Sequence, residues 1–176
     1  MSFEIEFHQC SENDTKALVK VSQQFYPEHY SHIWKNEDTS FYVNLSFTAA
    51  AFKKDFETEN IIYFLIKKSE KVLGLLKLRK HQELVGYIKA EALQLEKIYL
   101  LAEATGLGVG TRAIDFTKKI AQELNKKIIW LDVMTTSPAL QFYKKLGFKT
   151  ISYYNLDYAG LKEDYKEMQR MILSIL

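Results

Sequence analysis

Cysteine, proline and glycine are scarce in this chain of 176 residues, at one, two and seven. A single cysteine, Cys10, allows no internal disulfide, so a reducing compartment, the cytoplasm, is the expected setting. Long apolar runs are missing as well: Ile61 to Ile66 and Leu73 to Leu76 are far too short to cross a bilayer. The opening residues MSFEIEFHQC hold Glu4 and no apolar core segment, so no secretory signal and no membrane partner are expected. Charge of one sign is also lacking. Twenty-four basic against 22 acidic residues leave a net +2, which gives no electrostatic footprint for nucleic acid. Repeats, low-complexity tracts and linkers are absent. What is present, 47% apolar and 26% charged residues, is the make-up of one soluble globular domain spanning 1–176.

Periodicity divides the chain into short elements. Phe3, Ile5 and Phe7 alternate with Glu4, Glu6 and His8, as in a half-buried strand. Asn13 or Asp14 can cap a helix with Ala17, Leu18, Val21 and Phe25 on one face, which Pro27 is expected to end. Residues 26–38 read as an irregular aromatic loop, and 41–56 as one helix. Ile61 to Lys67 and Val72 to Lys80 form a hairpin without a turn glycine, and Leu93 to Leu100 is a third strand. A helix with Ala113, Ile114, Thr117, Ile120, Ala121 and Leu124 on its apolar side runs to Asn125, before a continuous apolar strand at Ile128 to Val133. Ser137-Pro138 opens another helix and Gly147 closes it. Phe148 to Tyr158 reads as a strand. In the tail, Leu161, Tyr165, Met168 and Ile172 fit a helix, whereas Met168, Arg170 and Ile172 fit a strand face.

Where the glycines fall is more informative than their number. Gly106, Gly108 and Gly110 lie within five residues, between a strand and a helix. A helix N-terminus offers unpaired N–H groups and a partial positive charge, and glycine lets backbone approach phosphate oxygens. A ligandless tight turn would explain one glycine better than three. The P-loop frame fails, because Thr111 and Arg112 follow Gly110 where Lys-Ser or Lys-Thr is required. The dinucleotide frame GxGxxG has Thr111 at its third glycine, and too little chain follows for a second half-fold, although Asp132 lies at a plausible acidic position.

The stretch from Leu95 to Thr111, LEKIYLLAEATGLGVGT, resembles the strand, pyrophosphate loop and helix of the GNAT superfamily of N-acetyltransferases. Ile129 to Phe148, with its FYxxxGF pattern, is similar to that superfamily's next strand and helix. From Leu95 to Phe148 the two stretches span about a third of the chain, in the right order. The resemblance implies an α/β (α+β) fold: a mixed, mostly antiparallel central sheet of six to seven strands, flanked by about four helices and splayed at an acetyl-CoA site. It implies acetyl-CoA as cosubstrate, no metal, and cofactor contacts from Ile98, Tyr99 and Leu100 as an added-strand edge. Thr105, Gly106, Leu107, Gly108, Val109, Gly110 and Thr111 would form the pyrophosphate cradle. Thr105 stands where the family usually has Gln or Arg, so one side-chain donor is shortened. Ser137 replaces a common Asn and reads equally as a plain helix cap.

Two residues are candidates for proton chemistry. Tyr143 matches the tyrosine of FYxxxGF, which by resemblance reaches the CoA sulfur as general acid; a phenol of pKa ~10 is protonated at neutral pH. Ala139, Phe142, Tyr143 and Leu146 also form an apolar helix face, so Tyr143 fits a core position too. Glu96 precedes the loop on a strand whose face otherwise holds Ile98 and Leu100. It is either a base acting on the incoming amine, directly or through water, or a salt-bridge partner.

The aromatic and acidic segment from Phe25 to Tyr42 would border the acceptor by resemblance, or form a core edge. Aromatic faces with Glu28, Glu37 and Asp38 suit a cationic amine. Leu95 to Leu100 and Tyr165 to Met168 are similar to bacterial polyamine acetyltransferases, and the resemblance favours a strand for the tail. The expectation is acetyl transfer to a primary amine of a polyamine-like small molecule or a peptide. A non-catalytic acyl-CoA-binding regulator and a dinucleotide-binding oxidoreductase are the alternatives. A homodimer is compatible with this reading, and the sequence does not specify it.

Overall fold

In a computed structural model, which describes residues 4–175, one seven-stranded sheet organises the chain. β1 (Glu6–Gln9) is followed by α1 (Thr15–Tyr30), α2 (Ser40–Ser46) and α3 (Ala49–Phe56). The hairpin β2 (Ile61–Lys68) and β3 (Lys71–Arg79) leads to β4 (Ala92–Leu100), α4 (Val109–Glu123), β5 (Ile128–Met134), α5 (Ala139–Lys145), β6 (Lys149–Asn155) and β7 (Glu167–Ser174). The spatial order is β1-β2-β3-β4-β5-β7-β6, and every pairing is antiparallel except β4 with β5. The mixed, mostly antiparallel sheet expected from the sequence is therefore present. Phe3, part of the expected first strand, lies outside the described residues.

The two sheet faces bury different chemistry. Under α4 and α5 the core is mostly aliphatic, with Leu76, Leu78, Leu93, Leu95, Ile114, Ile129 and Leu131 at its centre. Beneath α1 to α3 it is aromatic: Phe25, Tyr26, Trp34, Phe47, Phe52 and Tyr63 join Leu18, Leu65 and Leu75.

β4 and β5 share only the short register from Ala92–Ile128 to Gln94–Trp130. Beyond Gln94 the two strands separate while β4 stays paired to β3 as far as Leu100. This is the splay that the resemblance implied. The Leu101 amide donates to the Leu73 carbonyl at 2.8 Å. By the two-residue alternation of a strand, Ile98 and Leu100 then turn their N–H and C=O groups to the opposite, open edge. Gly74 keeps β3 against this part of β4, since a Cβ there would lie 2.0 Å from the Tyr99 carbonyl oxygen.

Two local expectations change, and the tail takes the strand form that the resemblance favoured. α1 does not stop at Pro27 but continues to Tyr30. A proline in a last turn removes one backbone bond, and here Tyr30 gains a stack on Tyr26 at 5.0 Å, with the Ser31 hydroxyl donating to the Pro27 carbonyl at 2.5 Å. The expected helix over 41–56 is two helices. Buried Phe47 leaves helical geometry, and Thr48 caps α3 by accepting from the Ala51 amide at 3.1 Å. The tail is strand β7, whose pairing to both β5 and β6 overrides its helical spacing.

Candidate active site

The left-handed glycines sit where the splay opens. Gly106 (φ +75°) and Gly108 (φ +74°) have nothing within 4 Å of an added Cβ, so the backbone faces open space. Gly108 is the residue before α4, and the first intrahelical bond of the turn runs from the Arg112 amide to the Gly108 carbonyl at 3.2 Å. The amides of Val109, Gly110 and Thr111 are left to point out of the helix start, where the dipole favours an anion. Gly110 has a different task. Its φ is ordinary, and a Cβ would press on Phe142 Cζ at 3.3 Å, so it lets α4 approach α5.

A cavity of about 650 Å³ runs from this turn to the splayed strands. Ile98, Leu100, Thr105, Gly106, Gly108, Gly110, Thr111, Ser137 and Tyr143 line it. Three other residues expected there are placed differently. Val109 packs its side chain into the aliphatic core, Leu107 is 61% exposed, and the Tyr99 ring belongs to the aromatic face. Thr105 does not aim its hydroxyl at the cavity's anion end; Oγ1 donates to the Ala102 carbonyl at 2.7 Å. Ser137 Oγ accepts from the Ala139 amide at 3.2 Å, which is a cap for α5. The sequence missed Phe25, His29 and Phe142 on this wall. His29 stacks on Phe25 at 4.5 Å, and its Nε2 is buried without a hydrogen-bond partner among the described residues. Only the curling of α1 past Pro27 brings it there.

A second cavity, of about 540 Å³, opens on the far side of the splay. Tyr26, Tyr30, Trp34, Tyr42, Tyr99 and Tyr158 line it, with Arg79, Glu96, Lys97 and Asp132 as its charged groups. Residues 156–165 close it against the segment that follows α1: the Lys35 amide donates to the Gly160 carbonyl at 2.9 Å and the Lys162 amide to the Ile33 carbonyl at 3.0 Å. The carboxylates of Glu28, Glu37 and Asp38, expected at the acceptor, are not part of the lining.

Tyr143, Tyr30, Ile98, Met134, Ser137 and Ala139 belong to both walls, so the two cavities meet at Tyr143. Its ring is held edge-on by Phe142 at 5.3 Å and Phe148 at 5.6 Å. Burial, reinforced by nearby Tyr30, pushes its phenol well above the ordinary value, which keeps it protonated. Among the described residues its hydroxyl makes no hydrogen bond to another group of the protein, so its proton is available.

Glu96 is the extra residue of a β-bulge: Leu78 faces Leu95 and Lys77 faces Lys97, with Glu96 between. The bulge turns it away from Ile98 and Leu100, against expectation, and toward the aromatic face. Its carboxylate accepts from Lys77 Nζ at 3.0 Å and from Arg79 Nε. Burial acts to raise this carboxyl, but Lys77, Lys97 and Arg79 outweigh it and hold it below the usual range. A carboxylate so held accepts a proton poorly, and of the two readings of Glu96 the salt-bridge partner is the one the geometry supports. Cys10, with its thiol pushed up to about 12 chiefly by burial, is no nucleophile.

The family model described as "Acetyltransferase (GNAT) family" matches residues 16–148. The chain belongs to the GNAT acetyltransferase family. Its GNAT domain is 26% identical over 156 residues to an N-alpha-acetyltransferase of Sulfurisphaera tokodaii, covering 86% of this chain and 84% of that one. Among solved GNAT-like structures, the PaiA N-acetyltransferase of Thermoplasma acidophilum in complex with coenzyme A superposes with a TM-score of 0.74 at 19% identity, covering 95% and 98% of the two chains. A mutant form of the spermidine N-acetyltransferase SpeG of Vibrio cholerae gives 0.71 at 16% identity, covering 99% and 95%. The GNAT assignment displaces the dinucleotide-binding alternative. No helix among the described residues is long and apolar enough to cross a membrane.

Proposed function

We propose that the protein transfers an acetyl group from acetyl-CoA to a primary amine by direct attack, with Tyr143 as general acid. The observation that carries this reading is the junction of the two cavities at Tyr143. One cavity ends at glycines and free helix amides, which fit a pyrophosphate; the other is an aromatic chamber of a size for a small amine or a peptide N-terminus. The open edge of β4 at Ile98 and Leu100 fits an amide-bearing arm laid along it as an added strand.

Acetyl-CoA supplies a thioester whose carbonyl carbon the amine nitrogen attacks, with loss of the carbon–sulfur bond. The residues of the cleft hold both reactants at that junction, and positioning of this kind accounts for much of such catalysis. Tyr143 donates its proton to the departing thiolate, and the proton that the acylated nitrogen loses passes through water in the acceptor cavity and restores the phenol. Glu96 anchors Lys77 and Arg79 in the acceptor wall. The cradle's selectivity for pyrophosphate rests on backbone amides, with Thr105 holding the preceding turn.

The test is thiol release from acetyl-CoA across polyamines, free amino acids and peptide N-termini. Release with at least one class is expected. Tyr143→Phe should lower kcat by about 10- to 100-fold while leaving the acetyl-CoA KM within about twofold. CoA binding without thiol release for any amine would favour the non-catalytic regulator, and an unchanged kcat would remove Tyr143 from the mechanism.

A further inference from the structure

The charges in and behind the acceptor cavity do not cancel. Three carboxylates lie there, and each is closed by a cation. Asp55 accepts from Lys77 at 2.8 Å and from the Tyr63 hydroxyl at 2.5 Å. Glu96 is shared by Lys77 and Arg79. Asp132 is bound by Arg170 through two hydrogen bonds of 2.8 and 2.9 Å and also accepts from the Tyr154 hydroxyl at 2.9 Å. None of the three offers both oxygens to an incoming ammonium.

Against these stand four cations: Lys77, Arg79, Lys97 and Arg170. Lys97 is the one without a carboxylate at hydrogen-bond distance, since its Nζ is 4.0 Å from Glu96 Oε1. It sits 4.9 Å over the Phe47 ring and 5.1 Å over Tyr42, with its side chain only 9% exposed. Ring faces offset part of the cost of burying an ammonium but do not neutralise it. Its field is felt nearby. Burial acts to raise the Tyr42 phenol, yet Lys97, with hydrogen bonds from Tyr99, Lys97 and Ser46, brings it below its ordinary value. Arg79 pairs through Nε with Glu96, and among the described residues no second carboxylate lies within ion-pair distance of it.

From this we infer that the acceptor is a primary amine that also carries a carboxylate, which Lys97 and Arg79 receive within the aromatic chamber. This deepens, and rests on, the acetyltransferase reading above. A polycation meets closed carboxylates and a surplus of positive charge. A carboxylate meets an ammonium already desolvated, where a charge-assisted bond is at its strongest. The reactive amine then projects toward Tyr143 from a group held deeper in the same cavity.

The experiment uses pairs that differ by the carboxylate alone: 5-aminopentanoate against butylamine, and phenylalanine against 2-phenylethylamine, with spermidine as the polycation. Thiol release is followed for each with the wild-type protein. The expected result is that a carboxylated member exceeds its partner, and spermidine, in kcat/KM by about tenfold or more. In Lys97→Met that preference should shrink to within about twofold, through KM for the acid. Wild type that favours the decarboxylated amines or spermidine overturns this inference and leaves the acetyltransferase reading intact. So does a preference untouched in a Lys97→Met protein that still binds CoA. No release with any of the five amines or with peptide N-termini overturns both. The wild-type comparison decides the question even if the variant does not fold.

Discussion

The two cavities that meet at Tyr143 are built in opposite ways. Of the two, proposed for acetyl-CoA and for the amine, the cofactor side is built around backbone: left-handed glycines, the amides at the start of α4 and the unpaired edge of β4. The hydroxyls of Thr105 and Ser137 there are spent on turns. The acceptor side is made of side chains, with tyrosines as walls and an interlocked set of Lys, Arg, Asp and Glu among them. Backbone recognises a group common to many proteins and leaves a short glycine pattern. Side-chain recognition draws on distant segments and leaves no local pattern.

The largest expected effect breaks the backbone side. Gly108→Val places a β-branched residue at φ +74° and should weaken CoA binding by about 100-fold, read by calorimetry. Binding within about threefold of wild type would show that the cradle tolerates a side chain. Next comes the acceptor side. Glu96→Gln should remove the carboxylate that Lys77 and Arg79 share, at a cost of about 2 kcal/mol in denaturant unfolding, while Lys77 keeps Asp55. The sign with pH follows from the direction of its shift. Glu96 is held below its ordinary 4.5, so the folded protein binds fewer protons there. Its contribution is full above about that pH and is lost as pH falls through the depressed folded value. Wild type and Glu96→Gln should therefore converge in stability in acid. Equal stability at pH 7 would show that the bulge holds without the pair. The smallest effect is expected at Thr105. Thr105→Ala removes only a bond to the Ala102 carbonyl and should change CoA affinity by less than about threefold. A much larger loss would put the hydroxyl on the ligand and blur the contrast between the two sides.

How legible each region was follows the same division. Gly106 and Gly108 were readable because a left-handed turn before a helix all but requires glycine, and Gly147 because a helix end does, at φ +93°. Tyr143 was readable from its place in FYxxxGF. Glu96 was visible as a carboxylate on an apolar strand, but its direction was not. A bulge reverses the alternation of every later residue on β4, and nothing in LQLEKIYL marks where the extra residue falls. Lys97 was not singled out at all, since a lysine on a strand ordinarily reads as solvent-facing. It became notable only with Tyr42, Phe47 and Tyr99 around it.

By itself, then, the sequence determined the order of most elements, the strand–glycine turn–helix unit and the family. These rest on local backbone requirements and short-range periodicity. Tertiary structure alone decided which face Glu96 serves, which carboxylates are already closed, and that Lys97 carries the charge left over. Those depend on β-register, on a helix running past its proline and on a loop from residues 156–165 folding back onto residues 33–35. Each joins residues far apart in the chain, and a linear reading has no term for the distance between them.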